Sequence, residues 1–81
     1  MKTNNMKLIW EYLLCQEHGN QIEAIMKNTG LARGTVKSNL FYLMMTDNVV
    51  EYVYGQNTKI YKVKHEKYQD NGFINSVVIN L

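Results

Sequence analysis

The apolar pattern of the chain changes its period at Asn48, and this change limits the folds that the chain can adopt. Before Asn48, apolar residues recur every three or four positions, as on one face of an α-helix. After it, Val, Ile and Tyr concentrate in two short stretches with the composition of β-strands. The 81 residues are enough for one small hydrophobic core and not for two. We therefore predict a single α+β domain over residues 1–81, with helices first and strands second.

The first helix is predicted over residues 5–18. Asn4 and Asn5 are favourable N-cap residues, and Gly19 is a typical stop signal after a helix. Between them one helical stripe is apolar: Met6, Ile9, Trp10 and Leu13. A second apolar group lies on another side of the helix: Leu8, Tyr12 and Cys15. This surplus apolar surface is more than one core face needs, so part of it is expected to contact a partner.

A second, short helix is expected to begin at Asn20. Its side chain can cap the helix while Glu23 reaches back in the manner of a capping box. Thr29 and Gly30 end the helix, since glycine tolerates the positive φ of a sharp exit. The buried side is predicted to consist of Ile22, Ile25 and Met26.

The third helix is predicted over residues 32–47, again from apolar spacing. Val36, Leu40 and Leu43 recur at i, i+4 and i+7, and Asn48 is expected to act as a left-handed cap at the end. Ala32 stands at the start, so this helix has no side-chain cap. Gly34 in the first turn costs about 1 kcal/mol of helix propensity. The glycine either carries that cost without benefit or lets the backbone approach a phosphate, and the sequence favours neither reading.

A β-hairpin is predicted beyond Asn48. Residues 49–54 and 59–64 form its strands, and the polar residues 55–58 form the turn. Further along, residues 70–72 give another turn signal, and the alternation within residues 73–81 predicts an additional C-terminal strand. The core of the domain is thus expected within residues 6–64, with residues 65–81 as an extension.

This order of elements, carried by residues 20–25, 29–36, Leu40, Leu43 and residues 48–51, resembles the winged helix-turn-helix family. The chain looks most like the small single-domain regulators of pilus operons and the compact repressors of phages. Ten Asn and no Pro suit an AT-rich mobile element. The resemblance implies a transcriptional regulator that binds double-stranded DNA. Helix 32–47 would read the major groove, and wing 55–59 would contact the backbone.

Candidate DNA contacts follow from the solvent-facing side of the third helix and from the wing. Arg33 can make a bidentate contact to guanine, and Lys37 is suited to phosphate. The full candidate set is Arg33, Gly34, Thr35, Lys37, Ser38, Tyr42, Asn57 and Lys59. The competing interpretation of these residues is an ordinary solvated surface. Stacking of Tyr52, Tyr54 and Tyr61 on bases is a further possibility, although cross-strand packing is the more usual role of strand tyrosines.

The charge and the reactive residues bear on the class of function. Nine Lys and Arg against seven Asp and Glu give a net charge of only +2, which is low for a nucleic-acid binder. Cys15 is expected to lie inertly in the core or an interface, and neither it nor His18 and His65 shows the spacing of a catalytic or metal site. We expect no enzymatic activity, no cofactor, no metal, no small-molecule ligand and no membrane span. A single Cys and no signal peptide favour a cytoplasmic location.

The low charge keeps a second function open. In this alternative the chain is a winged-helix protein-protein interaction module that binds a host protein and leaves its DNA face unused. If the chain binds DNA, a homodimer is expected, because two copies commonly read two half-sites of DNA. Its candidate surfaces are the apolar side of the first helix, at Leu8, Tyr12 and Cys15, and the tail over residues 73–81. The alternative is that the tail adds a strand to its own sheet or covers its own first helix.

Overall fold

The computed structural model describes residues 2–68, with side chains from Asn5 onward. The described part contains α1 (Lys2–Leu14), α2 (Ile22–Thr29), α3 (Arg33–Met45), β1 (Val49–Tyr54) and β2 (Thr58–Val63). Three helices are followed by an antiparallel two-stranded hairpin. The α+β prediction is therefore confirmed, and the arrangement is compatible with a winged-helix layout. The turn and strand predicted within residues 70–81 lie outside the described residues.

The three helices and the hairpin share one apolar core. The residues buried in this core are Ile9, Trp10, Leu13, Ile25, Val36, Leu40, Leu43, Val49 and Tyr61. The stripe predicted on α1 is confirmed, with Met6 partly buried beside it, and so is the stripe predicted on α3. Helical spacing identified these faces correctly because burial of one side of a helix leaves a 3.6-residue period in its sequence.

The ends of α1 differ from the predicted ones. The helix begins at Lys2, so its backbone already includes the predicted caps Asn4 and Asn5. It ends at Leu14 and not at His18, and two turns with i→i−3 hydrogen bonds follow, from Cys15 to Tyr12 and from Gln16 to Leu13. Cys15 is consequently exposed in a turn. The prediction that it lies in the core is wrong, because that prediction assumed a longer helix.

Asn20 does not cap α2. The N-cap position is Gln21, which makes no side-chain cap hydrogen bond, and the helix begins at Ile22. The backbone of Asn20 instead pairs with Tyr61 of β2: the Asn20 N–H donates to the Tyr61 carbonyl, with 3.0 Å between N and O, and the Tyr61 N–H donates to the Asn20 carbonyl, with 2.8 Å between N and O. Its side-chain amide donates to the Tyr12 hydroxyl at 3.0 Å. The capping-box prediction is wrong because the tertiary pairing with β2 places Asn20 one residue before the N-cap.

The turn between α2 and α3 agrees with the prediction. Gly30 has a φ of +78° and its N–H donates to the Met26 carbonyl at 2.9 Å. Few side chains tolerate this left-handed backbone, so glycine is favoured there. The α3 helix begins at Arg33, one residue after the predicted start at Ala32, and it has no side-chain cap, as predicted.

The end of α3 departs from the prediction at Asn48. The left-handed residue is Asp47, with a φ of +68°, and Asn48 is fully buried. The Asn48 amide donates to Thr46 Oγ1 at 2.7 Å, and its backbone N–H donates to Leu43 O at 2.8 Å. Its carbonyl accepts from the backbone of Lys64 at 2.9 Å. Asn48 therefore links the helix to the end of β2, and the neighbouring Asp47, exposed to solvent, takes the left-handed turn.

The hairpin has two chemically different faces. On the inner face Val49 and Tyr61 join the core, and the Tyr61 hydroxyl donates to Glu51 Oε2 at 2.7 Å. Burial, together with this carboxylate, raises the pKa of Tyr61. On the outer face Tyr52 is opposite Ile60 and Tyr54 is opposite Thr58. The strand ranges agree with the predicted hairpin to within one residue.

Candidate nucleic-acid interface

An open cleft of about 450 Å³ separates the helical part of the molecule from the hairpin turn. The start of α3 contributes Arg33 and Lys37 to it, and the turn contributes Asn57, Thr58 and Lys59. The start of α2 and the inner face of β2 complete the lining with Gln21, Ile22, Glu23 and Tyr61. Four of the predicted contact residues, Arg33, Lys37, Asn57 and Lys59, thus lie around one cleft although they come from two distant parts of the sequence.

The cleft is positively charged on balance. Arg33, Lys37 and Lys59 provide three cations against the single carboxylate of Glu23, which gives a net charge of +2. Arg33 Nη2 lies 2.9 Å from Glu23 Oε2, and the two side chains are 51% and 65% exposed. The Arg33 guanidinium holds the pKa of Glu23 below its usual value. An ion pair this exposed is screened by solvent and contributes little to stability, so a ligand can compete for Arg33 at little cost.

The first turn of α3 presents backbone as well as side chains to solvent. Gly34 is exposed, and a Cβ built on it would meet no atom within 4 Å. Packing therefore gives no reason for a glycine at this position. Thr35 is half-buried, and its carbonyl accepts a hydrogen bond from the Asn39 amide at 2.7 Å. The first N–H groups of a helix have no acceptor within the helix, and Ala32 has no side-chain oxygen to supply one.

Four of the six candidate residues of α3 are not part of the cleft lining: Gly34, Thr35, Ser38 and Tyr42. Ser38 is exposed further along the helix. Tyr42 is 40% exposed near the helix end, where its ring packs edge-on against Phe41 with centroids 5.7 Å apart. The eight candidates therefore do not form one compact cluster.

Three cleft residues are not indicated as contacts by the sequence: Gln21, Ile22 and Glu23. Ile22 is predicted only as part of the buried side of the second helix. Glu23 was interpreted as part of a capping box, and Gln21 carried no signal at all. Only the packing of α2 beside α3 brings Glu23 next to Arg33, ten positions later in the chain. The signal that could have indicated this pair is an acid in the first turn of one helix and an arginine in the first turn of the next. Recognising it requires the positions at which both helices begin.

The remaining reactive residues have different neighbours. His65 Nε2 lies 3.4 Å from Asp47 Oδ2, whereas exposed His18 lies beside Tyr52 and Tyr54. Within residues 2–68 no group of three or more His, Cys, Asp or Glu side chains is placed to hold a metal ion. In the same part of the chain no helix has the length and apolar character needed to cross a membrane.

Comparison of the chain with protein-family models, with curated proteins and with solved structures found no match.

Proposed function

We propose that this chain is a winged helix-turn-helix protein that binds double-stranded DNA in a sequence-specific manner and regulates transcription. In this proposal α3 enters the major groove and the hairpin turn is the wing that contacts the sugar-phosphate backbone. The protein acts by binding, without catalysis or a cofactor.

The observation that carries the proposal is the cleft between the start of α3 and the hairpin turn. Arg33 and Lys37 lie on one side of it, and Asn57 and Lys59 lie on the other. A helix that reads bases and a turn that holds the adjacent backbone need this arrangement, because the groove and its bordering phosphates must be contacted together. The net charge of the cleft accounts for phosphate affinity on a chain whose overall charge is low.

The proposal assigns different roles to the cations. The Arg33 guanidinium has five N–H donors and uses only part of them on Glu23, so it can present a donor pair to guanine O6 and N7. Lys37 and Lys59 act as point charges beside phosphates. The amides of the first turn of α3, which have no acceptor within the helix, add donors that an anionic phosphate oxygen can accept.

The test begins with selection of bound sequences from a random duplex pool, followed by titrations at several salt concentrations. Arg33→Ala and Ser38→Ala are expected to weaken binding to the selected site by about 1–3 kcal/mol each, with a smaller effect on random duplex. Lys37→Ala and Lys59→Ala are expected to weaken binding to both duplexes and to reduce the salt slope by about one.

A matched control is Lys27→Ala, which removes an exposed cation outside the cleft lining. It is expected to leave the affinity almost unchanged. Failure of the wild-type protein to enrich any sequence, with no salt-dependent binding to random duplex, would exclude the proposed function. A protein partner recovered under those conditions would support the interaction-module alternative.

Dimer formation belongs to the proposal as a way to raise affinity for a two-part site. The exposed apolar residues of α1 and the following turn, Leu8, Leu14 and Cys15, provide a surface for it, with Leu8 at 41% and Leu14 at 38% exposure. Tyr12 contributes less than expected, because it packs partly against the core and its hydroxyl accepts from Asn20. Sedimentation of wild type and Leu8→Glu tests this, and a monomer at every concentration would exclude the dimer.

A further inference from the structure

The outer face of the hairpin carries two tyrosines that the fold leaves half in solvent. Tyr52 is 45% exposed and Tyr54 is 54% exposed, although each has a cross-strand neighbour, Ile60 and Thr58 respectively. Their ring centroids lie 6.4 Å apart with planes inclined by 33°. Cross-strand packing therefore accounts for only part of each ring, and two aromatic faces remain available next to each other.

A cleft of about 300 Å³ adjoins these rings. It is lined by His18, Tyr52, Tyr54 and Lys62. Lys62 is opposite Val50 in the register, so its side chain is on the same face of the hairpin as the tyrosines. Glu17 is the nearby acid, but its carboxylate is 4.0 Å from His18 and is not part of the lining. The cleft therefore combines aromatic faces with a cation and has no acid in its lining.

We infer that this outer face binds unpaired nucleic acid, with bases stacked on Tyr52 and Tyr54 and a phosphate beside Lys62. Adjacent aromatic rings and a cation are the components of sequence-tolerant single-strand binding, because every base has a π-face and every nucleotide has a phosphate. An acidic or a purely apolar protein segment suits the cleft less well, since an acidic segment leaves the two adjacent rings without an aromatic or apolar partner and an apolar segment leaves Lys62 without a counter-charge.

This site is separate from the cleft proposed for duplex DNA. Successive residues of a strand point to opposite faces, so Val53 and its partner Lys59 lie on the other side of the hairpin from the tyrosines. Binding of a single strand at the outer face therefore does not rest on the proposed function. Variants of Arg33 or Lys59 are expected to leave it unchanged.

The test is a titration of the full chain against a short fluorescein-labelled oligothymidylate, followed by fluorescence anisotropy. The main variant is the double substitution Tyr52→Thr and Tyr54→Thr, which removes the rings and keeps residues that favour a strand. It is expected to weaken binding about 10-fold or more. The double substitution to Phe keeps the rings and is expected to bind like wild type. Val53→Ala, at a position 58% exposed on the opposite face of β1, is the matched control and is expected to have no effect.

A second probe separates stacking from charge. An abasic oligonucleotide of the same length keeps the phosphates and lacks the bases, so it is expected to bind wild type as weakly as the Thr double variant binds oligothymidylate. Lys62→Gln is expected to lower the salt dependence of binding. An oligouridylate titration shows whether the 2′-hydroxyl matters, and preference for either sugar supports the same stacking site.

Four results would overturn the inference. The first is equal affinity for the abasic and the base-bearing strand, and the second is unchanged affinity of the Thr double variant. The third is no binding of oligothymidylate by a folded wild-type chain, as judged by the fluorescence of buried Trp10. The fourth is a change in the sedimentation of the protein when Tyr52 and Tyr54 are replaced by Thr. In that case the outer face would be a contact between copies of the chain and the inference would be wrong.

Discussion

Substitution of Gly34 by Ala should move stability and DNA affinity in opposite directions. Gly34 lies in the first turn of α3, with no neighbour within 4 Å of a Cβ built on it. Alanine therefore fits without a clash and has the better helix propensity. If glycine is kept there so that the backbone can approach a phosphate, the added methyl group obstructs that approach.

Both effects are large enough to measure. The gain in helix propensity is up to about 1 kcal/mol, which for a domain of this size raises the melting temperature by up to about 4–8 °C. A hydrogen bond to a charged group is worth about 1.5–3 kcal/mol, so its loss weakens DNA binding by about 10- to 100-fold. Because a phosphate carries no sequence information, the loss should be similar for selected and random duplex.

Thermal unfolding followed by circular dichroism measures the first effect, and salt-controlled titration of duplex DNA measures the second. Gly19→Ala is the comparison for stability: Gly19 has a φ of +76°, and a Cβ there would lie 2.5 Å from the Tyr61 carbonyl oxygen. It should destabilise the fold by about 2 kcal/mol or more. A lower melting temperature for Gly34→Ala would refute the reasoning about open space. Unchanged DNA affinity would refute the phosphate approach.

Two further predictions concern the junction of α3 and β1. Asn48→Ala removes the buried hydrogen bond to Thr46 and should cost about 1–3 kcal/mol in urea unfolding, whereas Asn57→Ala in the exposed turn should change stability by less than about 0.5 kcal/mol. Lys64 holds the pKa of Asp47 below its usual value, so the pair stabilises the fold above about pH 4, and this contribution is lost as the pH falls through the lowered pKa. Asp47→Asn should therefore be less stable than wild type by about 0–1 kcal/mol at neutral pH and equal to it in acid; a difference that is constant with pH would contradict this role.

The sequence by itself determined the helical faces, the turn at Gly30 and the hairpin. Val36, Leu40 and Leu43 are buried as their spacing predicts, because the 3.6-residue period of the apolar residues in an amphipathic helix indicates which face is buried. Gly30 occupies the left-handed exit that its residue type favours. These features depend on local backbone preferences and on the pattern of apolar and polar residues, and both can be determined from residues that are close together in the sequence.

Tertiary contacts set the start of α2, the end of α3 and the neighbours of the polar side chains. Asn20 has the side chain of a favourable N-cap, but its backbone pairs with Tyr61 of β2 and α2 begins further along the chain. Asn48 and Asp47 both tolerate a left-handed backbone. Asp47 adopts it, because the Asn48 side chain is buried and its amide donates a hydrogen bond to Thr46. Residues with equal local preferences are distinguished only by partners that are distant in the chain. The contact of Glu23 with Arg33 and the partial exposure of Tyr52 and Tyr54 have the same cause. Both depend on how the helices and the hairpin pack together, and the sequence around each residue does not contain that information.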